Sequence, residues 1–156
     1  RVLFRSALWG SIGWATGAGL GTALADRARR TVVVTGDGAH QMTATEIGTM
    51  GRSGVTPVVF VMNNGLYGIE EALSRTEGHD YDRIAAWNYA KLPEAFGCRD
   101  WFSVRVETVA QLADALEVAG RGDRAAYVEI VLGAADTPHP LPDPVLDRMY
   151  EVKPRR

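Results

Sequence analysis

The amino-acid sequence predicts an α/β fold in which a mainly parallel sheet carries helices on both faces. Two observations predict this fold. Short apolar runs bounded by glycine or asparagine recur along the chain, and stretches with helical spacing separate them. The apolar runs are also continuous, as expected for strands buried on both faces in βαβ units. With 156 residues, the chain has the usual length of a single domain.

The first half of the chain predicts two helices and two strands. Four glycines lie in the first predicted helix, Ser11–Ala25. Because glycine weakens a helix, this one is expected to pack very closely against a neighbour or a ligand. A strand is predicted over Thr31–Thr35, a helix over His40–Met50 and a second strand over Pro57–Met62.

The second half predicts further alternation of helices and strands. Short helices are expected over Tyr67–Leu73 and Asn88–Phe96, and strands over Phe102–Val106 and Ala126–Leu132. The clearest amphipathic helix is predicted over Thr108–Ala119, with Thr108 as its cap. The apolar residues expected to share its buried face are Val109, Leu112, Leu116 and Ala119.

The ends of the chain are expected to lie outside the folded domain. Arg1–Ser6 resembles the translation of a sequencing adapter, so residues 1–6 are expected to be non-native; an ordinary apolar-basic strand end is the alternative. Four prolines interrupt the sequence after Gly133. The predicted organisation is therefore one domain over residues 7–134 and a proline-rich tail over residues 135–156.

Composition excludes several classes of partner. The net charge of −2 comes without a long basic run, which argues against nucleic acid. The longest apolar stretch, Val55–Met62, is too short to span a bilayer. Cys98 is the only cysteine, so no intramolecular disulfide forms, which favours a reducing, cytoplasmic location. The histidines have no zinc-type spacing with that cysteine; they are His40, His79 and His139.

Two polar breaks follow the first two predicted strands. Gly36–Gly38 and Asn63–Gly65 both lie at carboxyl ends of strands, where open parallel sheets bind ligands. Asp37 and Asn64 would offer a carboxylate and an amide oxygen side by side, a donor set that suits Mg²⁺. A helix beginning after Gly38 would direct N–H groups at an anion, so the pattern predicts a Mg²⁺-bridged diphosphate. Taken singly, each motif is more often a simple turn.

Other nucleotide-binding motifs fit the sequence poorly. The glycine-rich stretch Gly17–Gly21 has no strand before it, and a dinucleotide-binding fingerprint must open a helix directly after a strand. The chain also contains no GxxxxGK[ST] motif. A dinucleotide or a mononucleotide is therefore not the predicted ligand.

The GDG motif followed after one helix by NN resembles the signature of thiamine-diphosphate enzymes. The resemblance extends from Leu8 to about Pro144, and implies the thiamine-diphosphate-binding fold. Leu8–Gly13 (LWGSIG) is similar to the segment that cradles the aminopyrimidine ring in pyruvate and indolepyruvate decarboxylases. By this resemblance, the Gly10 carbonyl accepts a hydrogen bond from the 4′-amino group, and Ile12 is the apolar wedge that bends the cofactor. Considered alone, Ile12 fits a core position better.

The same resemblance implies the residues around the metal and the diphosphate. Asp37, the Asn64 side chain and the Leu66 carbonyl would bind Mg²⁺, although the family usually has glycine where this chain has Leu66. Gly36 and Gly38 would allow close approach of the backbone. Gly38 and Ala39 would offer their N–H groups to the diphosphate. His40 follows directly and could approach the diphosphate, but a packing or capping role is favoured.

The segment after the metal loop is similar to that of 2-oxo-acid decarboxylases. Gly68–Glu70 (GIE) resembles their Thr-Ile-Glu, which implies that Glu70 handles protons around the enamine intermediate and that Ile69 shapes the substrate pocket. A solvated helix carboxylate is the alternative for Glu70. Tyr81–Ile84 and Trp87–Tyr89 also resemble the decarboxylase branch. The resemblance therefore favours decarboxylation over carboligation.

The resemblance implies an enzyme of which this chain is one part. Members of the family decarboxylate a 2-oxo acid to an aldehyde and carbon dioxide, and a separate pyrimidine-binding domain supplies the activating glutamate. The active site forms in a homodimer or homotetramer, so the isolated chain is expected to be inactive and to bind the cofactor weakly. The alternatives are a thiamine-diphosphate-dependent carboligase or transferase, and a non-catalytic subunit of a split enzyme.

Overall fold

A computed structural model describes residues 10–70 and 80–133 of the chain. They form a four-stranded sheet in which all strand pairs are parallel, with the spatial order β1-β2-β4-β3. The strands are β1 (Val32–Gly36), β2 (Val58–Asn63), β3 (Phe102–Val106) and β4 (Ala126–Val131). All four coincide with the predicted strands to within one residue at each end, which confirms the α/β fold class.

Five helices that lie wholly within the described residues connect and flank these strands. They are α1 (Trp14–Ala25), α2 (Asp37–Gln41), α3 (Glu46–Arg52), α4 (Leu92–Ala95) and α5 (Val109–Gly120), with 3₁₀ turns at Asp80–Asp82 and Tyr89–Lys91. None of them is long and apolar enough to cross a membrane. Of the short helix predicted over Tyr67–Leu73, residues 68–70 are helical, and residues 71–73 lie outside the described residues.

The single helix predicted over His40–Met50 is wrong, because the structure has two short helices there. The first begins earlier, at Asp37, and ends at Gln41. A turn with i→i+3 hydrogen bonds then separates it from α3. The Thr43 hydroxyl donates to the Gly13 carbonyl at 2.7 Å, so this turn is anchored to the segment before α1. The chain therefore changes direction directly after Asp37, where one long helix was expected.

The core lies on both faces of the sheet. One face carries Val33, Val59 and Tyr127 in register, and α1 and α3 pack on it through Ala23, Ile47 and Met50. The opposite face carries Val58, Ala126 and Val128, which α5 covers through Ala115 and Ala119. Because consecutive strand residues face opposite sides, burial on both faces explains the continuous apolar runs of β2 and β4. The same expectation is wrong for β1, which is buried on one face only, since Val32 and Val34 are 59% and 60% exposed.

Two helix predictions can be compared with the packing. Close packing of the glycine-rich helix is confirmed at Gly19, where a Cβ would overlap the Val33 side chain of β1, whereas Gly17 and Gly21 face open space. The predicted buried face of α5 is partly wrong, because Val109 is 85% exposed and Leu116 is 48% exposed. Ala119 is buried as predicted, and Ala115, which was not predicted, also faces the sheet; both are small, which lets the helix backbone approach closely. The Thr108 cap is confirmed: its side chain accepts from Gln111 N at 3.2 Å in a capping box.

Candidate functional site

The two polar breaks meet at one edge of the sheet. Strands β1 and β2 are adjacent and parallel, so the residues that follow them lie side by side at their carboxyl ends. Asp37 is the first residue of α2, directly after β1, and Asn64 directly follows β2. The Gly65 N–H donates to Asp37 Oδ2 at 2.8 Å. The structure therefore joins the GDG and NNG motifs through a hydrogen bond to the carboxylate.

Asp37 is a buried carboxylate whose electrostatics favour a cation. It is 2% exposed, and burial raises the pKa of its carboxyl above the ordinary value. The backbone N–H groups of Gly65 and Gly38 act in the opposite direction, but burial has the larger effect on this pKa. A divalent cation at the carboxylate would offset the desolvation of its charge. Asp37 therefore has the environment expected of a metal ligand.

The loop after β2 is held in shape by a second segment of chain. Asn64 Oδ1 accepts from Leu66 N at 3.1 Å, and Gly65 has a positive φ of 71° that favours glycine. Leu66 forms an antiparallel bridge with Arg83, and Ile84 N donates to the Gly65 carbonyl at 3.0 Å. This pairing fixes the backbone around Leu66, where the sequence departs from the glycine usual in the family.

Gly38 lies in a contact that only glycine can make. A Cβ at this position would overlap the Tyr67 ring and the Ile84 side chain. The Tyr67 hydroxyl also donates to the Gly38 carbonyl at 3.4 Å. The absence of a side chain at Gly38 therefore lets Tyr67 and Ile84 pack directly against its backbone. The neighbouring Gly36 faces open space, and Ala39 is partly buried.

The segment predicted to cradle the aminopyrimidine ring lies beside α2. Gly10 is exposed with a φ of 55°, and Gly13 packs on Met42 and Thr43. Ile12 is 47% exposed, so it is not a core residue. An exposed isoleucine fixed next to the helix that carries Asp37 is available to contact a ligand. Its assignment as the wedge remains a prediction.

Ile69 and Glu70 lie at the end of the first described segment. Both side chains are exposed, and Glu70 N donates to the Tyr67 carbonyl at 2.9 Å. That bond forms one turn with Tyr67, which itself contacts Gly38. Glu70 is therefore held one turn after the loop that contains Asn64 and Leu66. Its catalytic role stays a prediction.

His40 packs in the core and does not approach a diphosphate. It is fully buried, its Nδ1 lies 3.1 Å from Thr16 Oγ1, and its Nε2 lies 2.9 Å from the Tyr127 hydroxyl. Burial lowers the pKa of His40 to about 4, so the ring is neutral near pH 7. The packing interpretation is confirmed. His79 and His139, for which no role was predicted, lie outside the described residues.

Several polar residues beneath the site were not singled out from the sequence. Gln41 Nε2 donates to the Tyr89 hydroxyl and to the Ala85 carbonyl, both at 2.7 Å. Glu129 is fully buried within β4 and accepts from Asn63 Nδ2 at 2.7 Å. A sequence signal existed for Glu129, since it is the one charged residue in the apolar run Ala126–Leu132. For Gln41 the available signal was its position one helical turn after Asp37.

The donor set fits Mg²⁺ better than a transition metal. Among residues 10–70 and 80–133, no three histidine, cysteine, aspartate or glutamate side chains cluster so that they could hold a metal ion. The site offers one carboxylate, from Asp37, and the amide oxygen of Asn64. Mg²⁺ prefers oxygen ligands, and because the protein offers few of them, coordination positions stay open for phosphate oxygens and water.

Curated proteins to which the chain is similar include mycobacterial alpha-keto-acid decarboxylases. The alpha-keto-acid decarboxylase of Mycobacterium bovis is 45% identical over 132 residues, which cover 84% of this chain and 23% of the relative. The corresponding protein of Mycobacterium avium is 41% identical over 150 residues, covering 96% and 26%. That of Mycobacterium leprae is 42% identical over 132 residues, covering 84% and 23%. The chain thus spans about a quarter of the length of these curated relatives.

A solved structure and a family model agree with this likeness. The crystal structure of benzoylformate decarboxylase from Polynucleobacter necessarius matches with a TM-score of 0.69 and 24% identity, over 85% of this chain and 25% of that one. At that identity the match shows a shared fold. The family model for the C-terminal TPP-binding domain of thiamine pyrophosphate enzymes matches residues 1–130. With its GDG and NNG motifs joined at one sheet edge, the chain belongs to the thiamine pyrophosphate enzymes, as their C-terminal TPP-binding domain.

Proposed function

We propose that this domain holds thiamine diphosphate and Mg²⁺ for a lyase that decarboxylates a 2-oxo acid to an aldehyde and carbon dioxide. The observation that carries the proposal is the hydrogen bond from Gly65 N to Asp37 Oδ2, which assembles the two motifs at the carboxyl edge of β1 and β2. The names of the mycobacterial relatives support the reaction class. Because the chain covers about a quarter of those proteins, the activity of a whole enzyme is part of the proposal.

Three groups on two loops would hold the metal. The Asp37 carboxylate, the Asn64 side-chain oxygen and the Leu66 carbonyl would bind Mg²⁺, and diphosphate oxygens and water would complete its coordination. Support comes from the burial of Asp37 and from the pairing of Leu66 with Arg83, which fixes the loop backbone. Gly36 and Gly38 would admit the diphosphate closely, and the N–H groups of Gly38 and Ala39 would donate to it.

The remaining site residues would act on the organic part of the cofactor and on the substrate. The Gly10 carbonyl and Ile12 would hold the aminopyrimidine ring, and Ile69 would shape the substrate pocket. Thiamine diphosphate, when bound, would supply a thiazolium ring as the electron sink that loss of carbon dioxide requires. Glu70 would then deliver or remove a proton at the reacting carbon. Its exposure at the open edge is consistent with access to a substrate held by another domain.

The proposal includes partners outside the chain. A pyrimidine-binding domain would supply the group that activates the cofactor, and the active site would form between domains in a homodimer or homotetramer. The substrate is a small 2-oxo acid, and neither nucleic acid nor a membrane takes part. The expected location is the cytoplasm. By this reasoning the chain alone binds Mg²⁺ and thiamine diphosphate weakly and has no decarboxylase activity.

Calorimetric titration of the chain with thiamine diphosphate, with and without Mg²⁺, tests the cofactor site. Binding is expected only with Mg²⁺, and Asp37→Asn should weaken it at least tenfold because it removes the only carboxylate ligand. Asp26→Asn is the matched control, since Asp26 is an exposed residue paired with Arg29. Unchanged affinity in Asp37→Asn would refute the assignment of the metal site.

A chimaera tests the reaction. The domain would replace the matched segment of the Mycobacterium avium relative, and products from several 2-oxo acids would be measured. Free aldehyde is expected as the main product, with turnover about 100-fold lower in Glu70→Gln. Condensed hydroxyketones as the main product would favour the carboligase alternative. Turnover by the purified 156-residue chain without any partner would contradict the need for a second domain.

A further inference from the structure

Glu129 is a fully buried carboxylate with three hydrogen-bond donors. Its Oε1 accepts from Asn63 Nδ2 at 2.7 Å and from Arg105 Nη1 at 3.1 Å, and its Oε2 accepts from Ala90 N at 3.1 Å. A buried carboxylate is tolerated when donors satisfy it in this way. An apolar residue at this position could make none of these three hydrogen bonds.

The donors connect Glu129 directly to the loop after β2. Asn63 is the last residue of β2 and immediately precedes Asn64. Asn63 pairs with Val131 in the parallel ladder, so Glu129 is its diagonal neighbour on the same face of the sheet. The carboxylate therefore fixes the side chain at the base of the NNG loop, one residue before the proposed metal ligand.

A second contact makes the anchor rigid. Ala90 lies in the 3₁₀ turn Tyr89–Lys91, and its carbonyl accepts from Ser103 Oγ of β3 at 2.7 Å. Tyr89, in the same turn, accepts from Gln41 at the end of α2. The turn is thus tied to β3, to β4 and to the helix that begins with Asp37. Glu129 therefore joins the base of the NNG loop to a turn that also contacts the end of α2.

We infer that Glu129 is a positioning residue that holds the Asn63–Asn64 turn in the geometry needed to present Asn64 to the metal. The inference rests on the proposed function, in which Asn64 binds Mg²⁺. Residues that orient metal ligands from behind typically change metal affinity 10- to 100-fold when altered. Glu129 would act through Asn63 and the loop backbone, without contacting the metal.

The chain offers a matched control for this inference. Arg105 bonds both Glu129 and Glu107, and the Glu107 side chain is 58% exposed while that of Glu129 is fully buried. Glu129→Gln and Glu107→Gln therefore remove one carboxylate each from the same arginine. Only the first change replaces an acceptor of the Asn63 and Ala90 N–H groups.

Hydrogen exchange of the metal-free chain gives a readout that does not depend on activity. In Glu129→Gln, the amides of Gly65 and Leu66 are expected to exchange about tenfold faster, beyond any change at the Val59 amide in the centre of the sheet. Glu107→Gln should leave all three amides unchanged. If the loop amides change only in step with Val59, Glu129 contributes general stability alone and the inference fails.

Metal affinity and a rescue variant complete the test. With saturating thiamine diphosphate, the Mn²⁺ dissociation constant measured by electron paramagnetic resonance should rise about tenfold in Glu129→Gln. The double variant Asn63→Asp with Glu129→Gln reverses donor and acceptor, and should restore both metal affinity and slow loop exchange. Failure of the double variant to restore slow exchange would also overturn the inference. Unchanged Mn²⁺ binding in Asp37→Asn would instead refute the proposed metal site, and loop exchange would still decide the role of Glu129.

Discussion

The neutral, buried His40 makes the stability of this domain depend on pH. The ring is fully buried between Thr16 and Tyr127, and burial lowers its pKa from 6.5 to about 4. In the unfolded chain the same imidazole would be protonated below its ordinary pKa. The unfolded state therefore binds more protons than the folded state between these two pH values. Stability is fully present above about pH 6.5 and falls as the pH decreases towards about 4.

The size of this effect follows from the pKa difference. One pKa unit corresponds to about 1.4 kcal/mol, so the interval from 6.5 to about 4 corresponds to about 3 kcal/mol in total. Integration of the linkage relation from about pH 7.5 to about pH 5 gives a loss of about 2 kcal/mol. This is a substantial fraction of the stability of a typical domain, about 5–15 kcal/mol.

Urea unfolding followed by far-ultraviolet circular dichroism measures the effect. The free energy of unfolding would be determined at several pH values for the wild-type chain and for His40→Gln, which lacks the titrating ring. The variant should lose about 2 kcal/mol less than the wild type over this range. His139→Gln is the control, because it removes a histidine from the proline-rich sequence and should keep the wild-type dependence.

The contributions of other titrating groups cancel when the wild type is compared with His40→Gln. Burial raises the pKa of Asp37, so this group stabilises the folded state as the pH falls, opposite in sign to His40. Its contribution is the same in the wild type and in His40→Gln, and it cancels in their difference. Parallel curves for the two proteins would refute the conclusion that His40 is held neutral by burial.

Three further predictions follow from single contacts. Gly38→Ala should lower the free energy of unfolding by about 1–3 kcal/mol, measured in urea, because the new Cβ overlaps Tyr67 and Ile84; equal stability would contradict that close contact. Thr108→Ala should cost about 1 kcal/mol in the same assay, since it removes the α5 cap, and a neutral result would mean that the cap is replaced by water. Asp82→Asn should raise the melting temperature, because among the described residues neither carboxyl oxygen of this buried side chain has a hydrogen-bond partner, and an amide that carries no charge costs less to bury. A lower melting temperature would indicate that the Asp82 carboxylate has a stabilising role.

The sequence predicted what depends on local pattern. Strands β1, β2 and β4 are recognisable because each is a mainly apolar run followed by glycine or asparagine, and β3 because of its β-branched and aromatic residues. Thr108 caps α5 because a threonine precedes its first turn. Asp37 and Asn64 were identifiable because polar residues directly after buried strands are unusual. Such signals lie within a few residues of one another along the chain.

Features that depend on distant contacts were not predictable in the same way. The break between α2 and α3 depends on the bond from Thr43 to Gly13, 30 residues earlier in the chain. The orientation of α5 depends on how closely Ala115 and Ala119 approach the sheet, because Leu116 would have matched the helical period equally well. His40 could be placed only once Tyr127 of β4 was known to face it.

Strand β4 shows why these distant contacts matter for the site. Tyr127 and Glu129 are two residues apart on β4, so both face the same side of the sheet. Tyr127 bonds a residue that follows β1, and Glu129 bonds the last residue of β2. Tyr127 bonds His40, three residues after Asp37, and Glu129 bonds Asn63, one residue before Asn64. A buried polar group costs stability unless it is satisfied, and these bonds satisfy both groups on an otherwise apolar strand. These two bonds fix the segments that carry the proposed metal ligands Asp37 and Asn64, so the ligands are aligned before a cation binds. Apolar packing alone would align them less specifically, because it is not directional.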